Sequence, residues 1–325
     1  MGDLPFRSAL LSKDRSQCNK FIVDKFDLDI LVQLINDLIY VSALTKEPLA
    51  KHYHPVCVIN SIKNIIGNNR DKPSNLLLQF GIDFLFSFDY RDNDQILLNN
   101  AIKDGLGLTA FVGDLEDAYQ NKLWKDAELL TTKLFLASDR TRGTLDSLVS
   151  LALQDTNRNA VFVYHLLRAL QFQEIKKDIW AFTQCLSRWL VFRDLPIPNT
   201  GKNKSPIDIF DLIIRYGDMV LFSAVSRIWD GDYVHGRSYN RELSHWCDDV
   251  QIISKKKILP NHDHWLINMD KKNIIFEAES IIKGSDAILV KGDKLVLLES
   301  VIALSRKANE QQRAILGARL NQNIL

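Results

Sequence analysis

Apolar residues recur at three- and four-residue spacing through most of this 325-residue chain. Because that spacing places them on one face of a helix, each such segment has to bury that face against another segment. Predicted helices of about 10 to 20 residues alternate with short polar turns, a pattern typical of all-α proteins. The sequence therefore predicts an all-α fold, built as a multi-helix bundle or as stacked helical hairpins.

Helix start and stop signals set the bounds of the predicted helices. Asp27 is a good N-cap for the first amphipathic run at 28–44, and Pro48 marks its end. A segment that is apolar nearly all round is typical of a central, buried helix, and 160–172 has this character. The further predicted helices are 54–66, 73–88, 96–104, 114–137, 144–153, 178–192, 205–229 and 271–283.

The segment 287–299 allows two interpretations. Two short apolar runs flank Gly292 and Asp293, so the segment fits either a small β-hairpin or two helices that meet at the glycine. Periodicity does not separate these alternatives for runs this short. The neighbouring segments are helical, and this favours the helix.

The segment 195–206 divides the chain. It holds three of the eight prolines, with Gly201 and two lysines between them, which is typical of a loop or linker. We therefore expect an N-terminal helical lobe at 1–194 and a C-terminal lobe at 207–325, joined in one compact unit. A chain of this length can bury a substantial core without disulfides.

Charge and cysteine usage exclude some classes of protein. The 41 basic and 40 acidic residues nearly balance, which argues against dedicated nucleic-acid binding. The four cysteines lie in no CxxC pair and suggest no disulfide framework, which fits a reducing compartment. The N-terminus predicts no secretory signal, and no apolar run is long enough to span a membrane. We therefore expect a soluble, cytoplasmic protein.

Histidines and tryptophans concentrate at 229–265, which holds four of the seven histidines and three of the six tryptophans. Within it, Glu242 and His245 are three residues apart, so a helix would present both to one metal ion. His235 closes a similar pair with Asp232. The alternative is that these pairs form surface salt bridges or cap helices.

His-x-His doublets occur twice, at His52–His54 and at His262–His264. In extended backbone, residues two apart point the same way, so two imidazoles could bind one Zn²⁺, Fe²⁺ or Cu²⁺. For the second doublet, which follows Pro260 and Asn261, the alternative is an exposed loop in which the histidines cap helices.

His165 and Arg168 lie on the otherwise apolar segment 160–172. Their spacing predicts a polar stripe, with His165 as an acid or base and Arg168 binding a carboxylate or phosphate. The alternative is that the stripe faces water or that His165 is a hydrogen-bonded core residue. The lysine runs 255–257 and 271–272 fit a solvated face, or an anion-steering rim.

Two functions follow from these patterns. The first is a small-molecule enzyme, oxidoreductases included, with a histidine-lined pocket between helical layers and His165, Arg168, His235 and His245 as catalytic residues. A transition metal such as iron or zinc would bind His54, Glu242, His245, His262 and His264. The second is a non-catalytic helical scaffold for another protein, because no complete nucleotide-binding, hydrolase or metalloprotease motif is found.

Overall fold

A computed structural model describes residues 5–23, 27–46, 51–103, 110–173, 175–191, 193–250, 252 and 258–324. Over these ranges the backbone forms seventeen α-helices and four short 3₁₀ helices, with no β-strand. The predicted all-α fold is confirmed. The lysine run 255–257 lies outside the described residues.

The helices follow one another along the whole described chain. The α-helices are α1 Pro5–Leu11, α2 Arg15–Asn19, α3 Leu28–Ala43, α4 Pro55–Ile66, α5 Asn75–Phe86, α6 Asp94–Lys103, α7 Val112–Gln120, α8 Trp124–Ala137, α9 Gly143–Leu153, α10 Thr156–Phe172, α11 Ile179–Leu190, α12 Phe210–Tyr216, α13 Met219–Trp229, α14 Gly236–Asp248, α15 Lys271–Lys283, α16 Ile288–Ser305 and α17 Glu310–Ile324. The 3₁₀ helices are Gly67–Asn69, Lys176–Asp178, Pro206–Ile209 and Trp265–Ile267.

Four helices form a closed ring at the centre of the molecule. Helix α4 packs on α10, α10 on α13, α13 on α16, and α16 on α4. Helices α4 and α10 belong to the predicted N-terminal lobe, whereas α13 and α16 belong to the predicted C-terminal lobe. A hydrophobic core that runs from Phe6 to Leu320 includes residues of all four. The division into two lobes stays a prediction.

Buried polar side chains link these central helices. Asn60 of α4 donates to Nδ1 of His165 on α10 over 2.8 Å. Arg227 of α13 forms an ion pair with Glu299 of α16, and Asn64 donates to the same carboxylate over 2.7 Å. Pairing is required here, because a buried charge without a partner costs about 3–5 kcal/mol.

The segment 287–299 is helical, so the β-hairpin alternative is wrong. It forms the first two-thirds of α16, a single helix that continues through Gly292. A Cβ atom at Gly292 would lie 2.6 Å from Cε2 of Phe84 and 3.1 Å from Cγ2 of Val58. The glycine is therefore a point of close helix packing.

Two predicted helices are broken in the structure. The segment 114–137 divides into α7 and α8 at Lys122, whose φ of 61° is left-handed. The segment 205–229 divides into a 3₁₀ turn, α12 and α13, with the second break at Gly217 and Asp218. Apolar periodicity reports the buried face of each piece but not the change of direction between two pieces.

Several helix caps follow the sequence signals. Asp27 accepts a hydrogen bond from the backbone N–H of Asp29, as predicted for an N-cap. Asp155 caps α10 by accepting from Arg158 N–H, so the helix begins at Thr156, four residues before its predicted start. Among the described residues, every helix is too short or too polar to cross a bilayer.

Candidate active site

The central helices open on a cavity of about 850 Å³. The first two turns of α4, α10, α13 and α16 all contribute to its wall. The four helices therefore direct their N-terminal ends towards the same space. Each helix N-terminus carries a partial positive charge from its aligned peptide dipoles, which favours an anion nearby.

Side chains of two kinds line this cavity. Five are cationic and two are carboxylates, an excess that the near-balanced chain as a whole does not show. The rest of the wall is largely aromatic and aliphatic. The cations are Lys51, Arg158, Arg193, Lys294 and Arg319; the carboxylates are Asp218 and Asp293; the large apolar side chains include Tyr53, Val161, Phe162, Trp189, Val220, Leu221, Val290 and Leu297.

A histidine–aspartate pair lies in the cavity wall. Nδ1 of His52 lies 2.6 Å from Oδ2 of Asp293, and because a carboxylate can only accept, Nδ1–H is the donor. The other oxygen, Oδ1, accepts the backbone N–H of Tyr53 over 3.0 Å. Nε2 of His52 has no hydrogen-bond partner within the described ranges. The two side chains are 26% and 27% exposed, so the pair is half-buried and reachable from the cavity.

This pair has the geometry of a general acid–base group. A carboxylate that holds Nδ1–H fixes the ring orientation and its tautomer, so that the lone pair of Nε2 can take up a proton. Asp293 is itself fixed by the Tyr53 amide and by its place on α16. The ring, its orienting carboxylate and the unpartnered nitrogen thus match the arrangement that general acid–base groups have in enzymes.

His54 lines the same cavity but has a different role. Its Nδ1 accepts the Val56 N–H over 3.1 Å and so caps α4. The proton of the neutral ring therefore lies on Nε2, which is 3.6 Å from Sγ of Cys185. Burial, with a smaller effect of the Arg91 charge, lowers the pKa of His54 to about 3. At neutral pH His54 is an uncharged helix cap, a poor proton carrier.

An aromatic wall stands next to His54. The rings of Phe162 and Trp189 stack with centroids 4.5 Å apart, and the His54 ring lies 4.8 Å from Phe162. The guanidinium carbon of Arg193 lies 4.0 Å above the Trp189 ring. Stacking of this kind fixes large rings in place and gives one side of the cavity a rigid, apolar surface.

Two charged side chains of the cavity also bind the ends of helices. Oδ1 of Asp218 accepts the backbone N–H groups of Val220 and Leu221 at the start of α13. Arg319 donates to the carbonyls of Ile213, Ile214 and Gly217 at the end of α12. The break at Gly217 and Asp218 therefore does more than turn the chain, because it brings the N-terminus of α13 to the cavity.

His165 and Arg168, which were predicted to form one polar stripe, lie in different environments. His165 has no exposed surface and is hydrogen-bonded to Asn60, so Nδ1 accepts and the neutral ring keeps its proton on Nε2. Burial lowers the pKa of His165 to about 3, against the raising effect of Glu299. Arg168 is exposed and donates to Gln171 over 2.8 Å. The geometry fits the alternative stated above, a hydrogen-bonded core histidine.

Glu242 and His245 do share one face of α14 and line a second, smaller cavity of about 160 Å³. Glu242 is fully buried, and both of its oxygens are occupied. Oε1 accepts from Arg241, and Oε2 accepts from the backbone and side-chain amides of Asn199. This carboxylate therefore anchors the proline-rich segment 195–206 on α14.

The remaining predicted histidines lie elsewhere. His235 occupies the N-cap position of α14, with Nδ1 3.4 Å from Oγ of Ser150. His262 is exposed. His264 accepts the Leu266 N–H and donates from Nε2 to Oδ1 of Asn321, so it caps the 3₁₀ helix Trp265–Ile267.

The five predicted metal ligands are not brought together. Of these, only His54 lines the large cavity, while Glu242 and His245 line the smaller one. In the part of the chain that the structure describes, no group of three or more His, Cys, Asp or Glu side chains is arranged to hold a metal ion.

The sequence pattern pointed to half of the histidine–aspartate pair. His52 was visible in the first His-x-His doublet, and the two histidines of that doublet do line one cavity. Asp293 lies 241 positions further on, in the segment whose structure was ambiguous. No local pattern indicates which distant carboxylate a histidine will meet. Comparison with protein-family models, curated proteins and solved structures gave no match for this chain.

Proposed function

We propose that this protein is a small-molecule enzyme in which His52, oriented by Asp293, transfers a proton to or from a substrate bound in the large cavity. The observation that supports this is the 2.6 Å contact between Nδ1 of His52 and Asp293 in the wall of a cavity of about 850 Å³. That volume is within the usual range for small-molecule sites, roughly 300–1,000 Å³.

The proton balance of the step is simple. A C–H or O–H group of the substrate gives its proton to Nε2 of His52, and the resulting imidazolium is stabilised by the Asp293 carboxylate. The electron pair of that bond stays on the substrate, and the same nitrogen then returns a proton to the resulting anion, at the same or a neighbouring atom. A positioned acid–base group of this kind contributes about 10²–10⁴-fold to the rate.

The step can be tested without knowing the substrate. The protein is incubated in D₂O with a panel of small carboxylic acids and phosphate esters, and loss of a C–H signal or growth of a product signal is followed by ¹H NMR. We expect at least one compound to react, and His52→Asn and Asp293→Asn to slow it by 10²-fold or more. His262→Asn, which changes an exposed histidine that is not among the lining residues, is the matched control. A His52→Asn protein as active as the wild type contradicts the proposal.

The metal-dependent form of this enzyme and the cytoplasmic location stay predictions. Elemental analysis of the purified protein tests the first. If the wild type holds stoichiometric iron or zinc and a Glu242→Gln, His245→Asn double variant loses it, the metal binds at the predicted pair of α14. Metal retained by that variant would contradict that placement.

A helical scaffold is the second candidate function. The supporting observation is that Ile197, Ile207 and Val234 are 81%, 82% and 89% exposed. Large apolar side chains that are almost fully exposed can contribute to a protein interface. A scaffold predicts that no compound of the panel reacts and that His52→Asn has no effect on partner binding.

A further inference from the structure

We propose that the large cavity binds an organic anion, a molecule with a phosphate or carboxylate group on an apolar body. This inference rests on the proposed function for the identity of the site and adds the class of substrate. It is carried by the open charges of Lys51 and Arg158, the ends of the helices and the apolar side chains of the lining.

One of the five basic lining residues, Lys294, is already paired, with Asp286 over 2.7 Å. Both oxygens of Asp293 are occupied, by the His52 ring and by the Tyr53 amide. Asp218 accepts two backbone N–H groups of α13. The two lining carboxylates are therefore held by groups of the wall and not by Lys51 or Arg158, whose charges remain available to a ligand.

Two of the cations are placed to meet an incoming anion. Lys51 is exposed and has no hydrogen-bond or ion-pair partner among the described residues. Arg158 is exposed; its Nε forms a loose ion pair with Asp155 at 3.6 Å, while its terminal nitrogens have no hydrogen-bond partner among the described residues. An arginine with open N–H groups can bind a phosphate or carboxylate through two parallel hydrogen bonds.

Arg319 offsets the partial negative charge that the C-terminus of α12 would otherwise bring to the cavity. A helix C-terminus carries a partial negative charge, and α12 ends at the cavity. The guanidinium of Arg319 donates to three carbonyls at that end, at 3.0, 3.1 and 2.8 Å. The N-terminal ends of α4 and α16, which have no carboxylate cap, add their partial positive charges to the basic side chains, whereas Asp155 and Asp218 cap α10 and α13.

Apolar side chains line much of the cavity, and an inorganic anion alone would leave them uncovered. Phe162 and Trp189 form a stacked pair, and Val220, Leu221 and Leu297 also belong to the lining. Covering this surface stabilises a complex by about 25 cal/mol per Å² of apolar area removed from water. A ligand that uses the entire cavity must therefore carry an apolar body as well as a charged group.

The test compares probes that share one apolar body. Isothermal titration calorimetry on the full chain measures binding of 1-naphthyl phosphate, 1-naphthoate, neutral 1-naphthol and inorganic phosphate. We expect the tighter of the two naphthyl anions to bind at least tenfold more strongly than 1-naphthol, and more strongly than inorganic phosphate. Whichever anion is tighter identifies the charged group. Raising the salt concentration from 50 to 300 mM should weaken the binding of the anion but not that of the neutral probe.

Charge-removing variants locate the binding. Lys51→Gln with Arg158→Gln should weaken the tighter anion at least fivefold and leave 1-naphthol unchanged. The control is Lys125→Gln with Arg237→Gln, two exposed cations that are not among the lining residues. Should the double variant fail to fold, as judged by circular dichroism, the salt series on the wild type still decides. Equal binding of 1-naphthol and both anions, no binding of any naphthyl probe, or an equal loss in the control overturns the inference.

The two proposals can fail separately. His52→Asn should keep the affinity for the naphthyl anion within about twofold, because Lys51 and Arg158 supply the charge. If the naphthyl anion binds but no compound of the NMR panel reacts, the cavity is an anion-binding site and the proposed proton transfer is wrong. If only neutral compounds react, the proposed proton transfer stands and the proposal of an anionic substrate is wrong.

Discussion

His54 shows how one side chain can satisfy a local and a long-range requirement together. Its Nδ1 caps α4, and its ring packs against Phe162 in the cavity wall. The sequence predicted a metal ligand here, and it gave helix capping as the alternative for the second doublet only. Capping is what the geometry shows, because Pro55 begins α4 and leaves His54 at the N-cap position. The same holds for His264, which caps the 3₁₀ helix after it.

Two buried neutral histidines make the fold sensitive to acid. Burial lowers the pKa of both His54 and His165 to about 3, below the ordinary value of 6.5. As pH falls from 6.5 towards 3, the unfolded chain binds protons that the folded chain does not, so folding stability falls over that window. Each ring contributes a slope of about 1.4 kcal/mol per pH unit there.

We predict that urea denaturation will show this slope between pH 6.5 and 4.5. His54→Asn keeps an N-cap acceptor and removes one titrating ring, so its stability should depend less steeply on pH by about 1.4 kcal/mol per unit. A pH dependence identical to that of the wild type would mean that His54 is not the buried neutral ring described here.

At the scale of the helix, the sequence predicted where most helices lie better than it predicted where a long helical segment is divided into two. Apolar periodicity and capping residues placed α3 and α9 to within about two residues of their observed ends. The divisions at Lys122 and at Gly217 were missed, because a buried stripe can continue across a turn. Gly217 was nevertheless a readable signal, since glycine next to an Asp N-cap is typical of a new helix start.

Gly292 tests the packing of α16. Alanine has the higher helix propensity by about 1 kcal/mol, but an added Cβ would lie 2.6 Å from Cε2 of the core residue Phe84. Overpacking typically costs about 1–3 kcal/mol, so we expect Gly292→Ala to lower the free energy of unfolding. The neighbouring Asp293 should move with the helix, which would slow the proposed proton transfer.

The control for this prediction is Gly236→Ala at the start of α14. A Cβ there meets no atom within 4 Å, so the variant should be as stable as the wild type or slightly more stable. Urea denaturation compares the two variants directly. If Gly292→Ala proves as stable as Gly236→Ala, the close contact between α16 and α5 is not present in solution.

At the scale of the whole molecule, the cavity exists because distant segments meet around the central helices. Residues 51–57 and 157–162 come from one predicted lobe, and residues 217–221 and 290–297 come from the other. Local patterns could predict the helices and name His52, but not the partner 241 positions away. They also could not predict that the four N-terminal ends would gather at one place. The candidate site is a property of the assembled bundle.

Seven histidines provide a direct test of where this protein binds its ligand. The protein is labelled with ¹³C in its histidine rings, the resonances are assigned with single His→Asn variants, and the tighter naphthyl anion is added. We expect the resonances of His52 and His54 to shift in proportion to occupancy, while those of His165, His235, His245, His262 and His264 stay unchanged. An unshifted His52 resonance at saturating anion, with shifts at His235 or His245 instead, would show that the active site is not in this cavity.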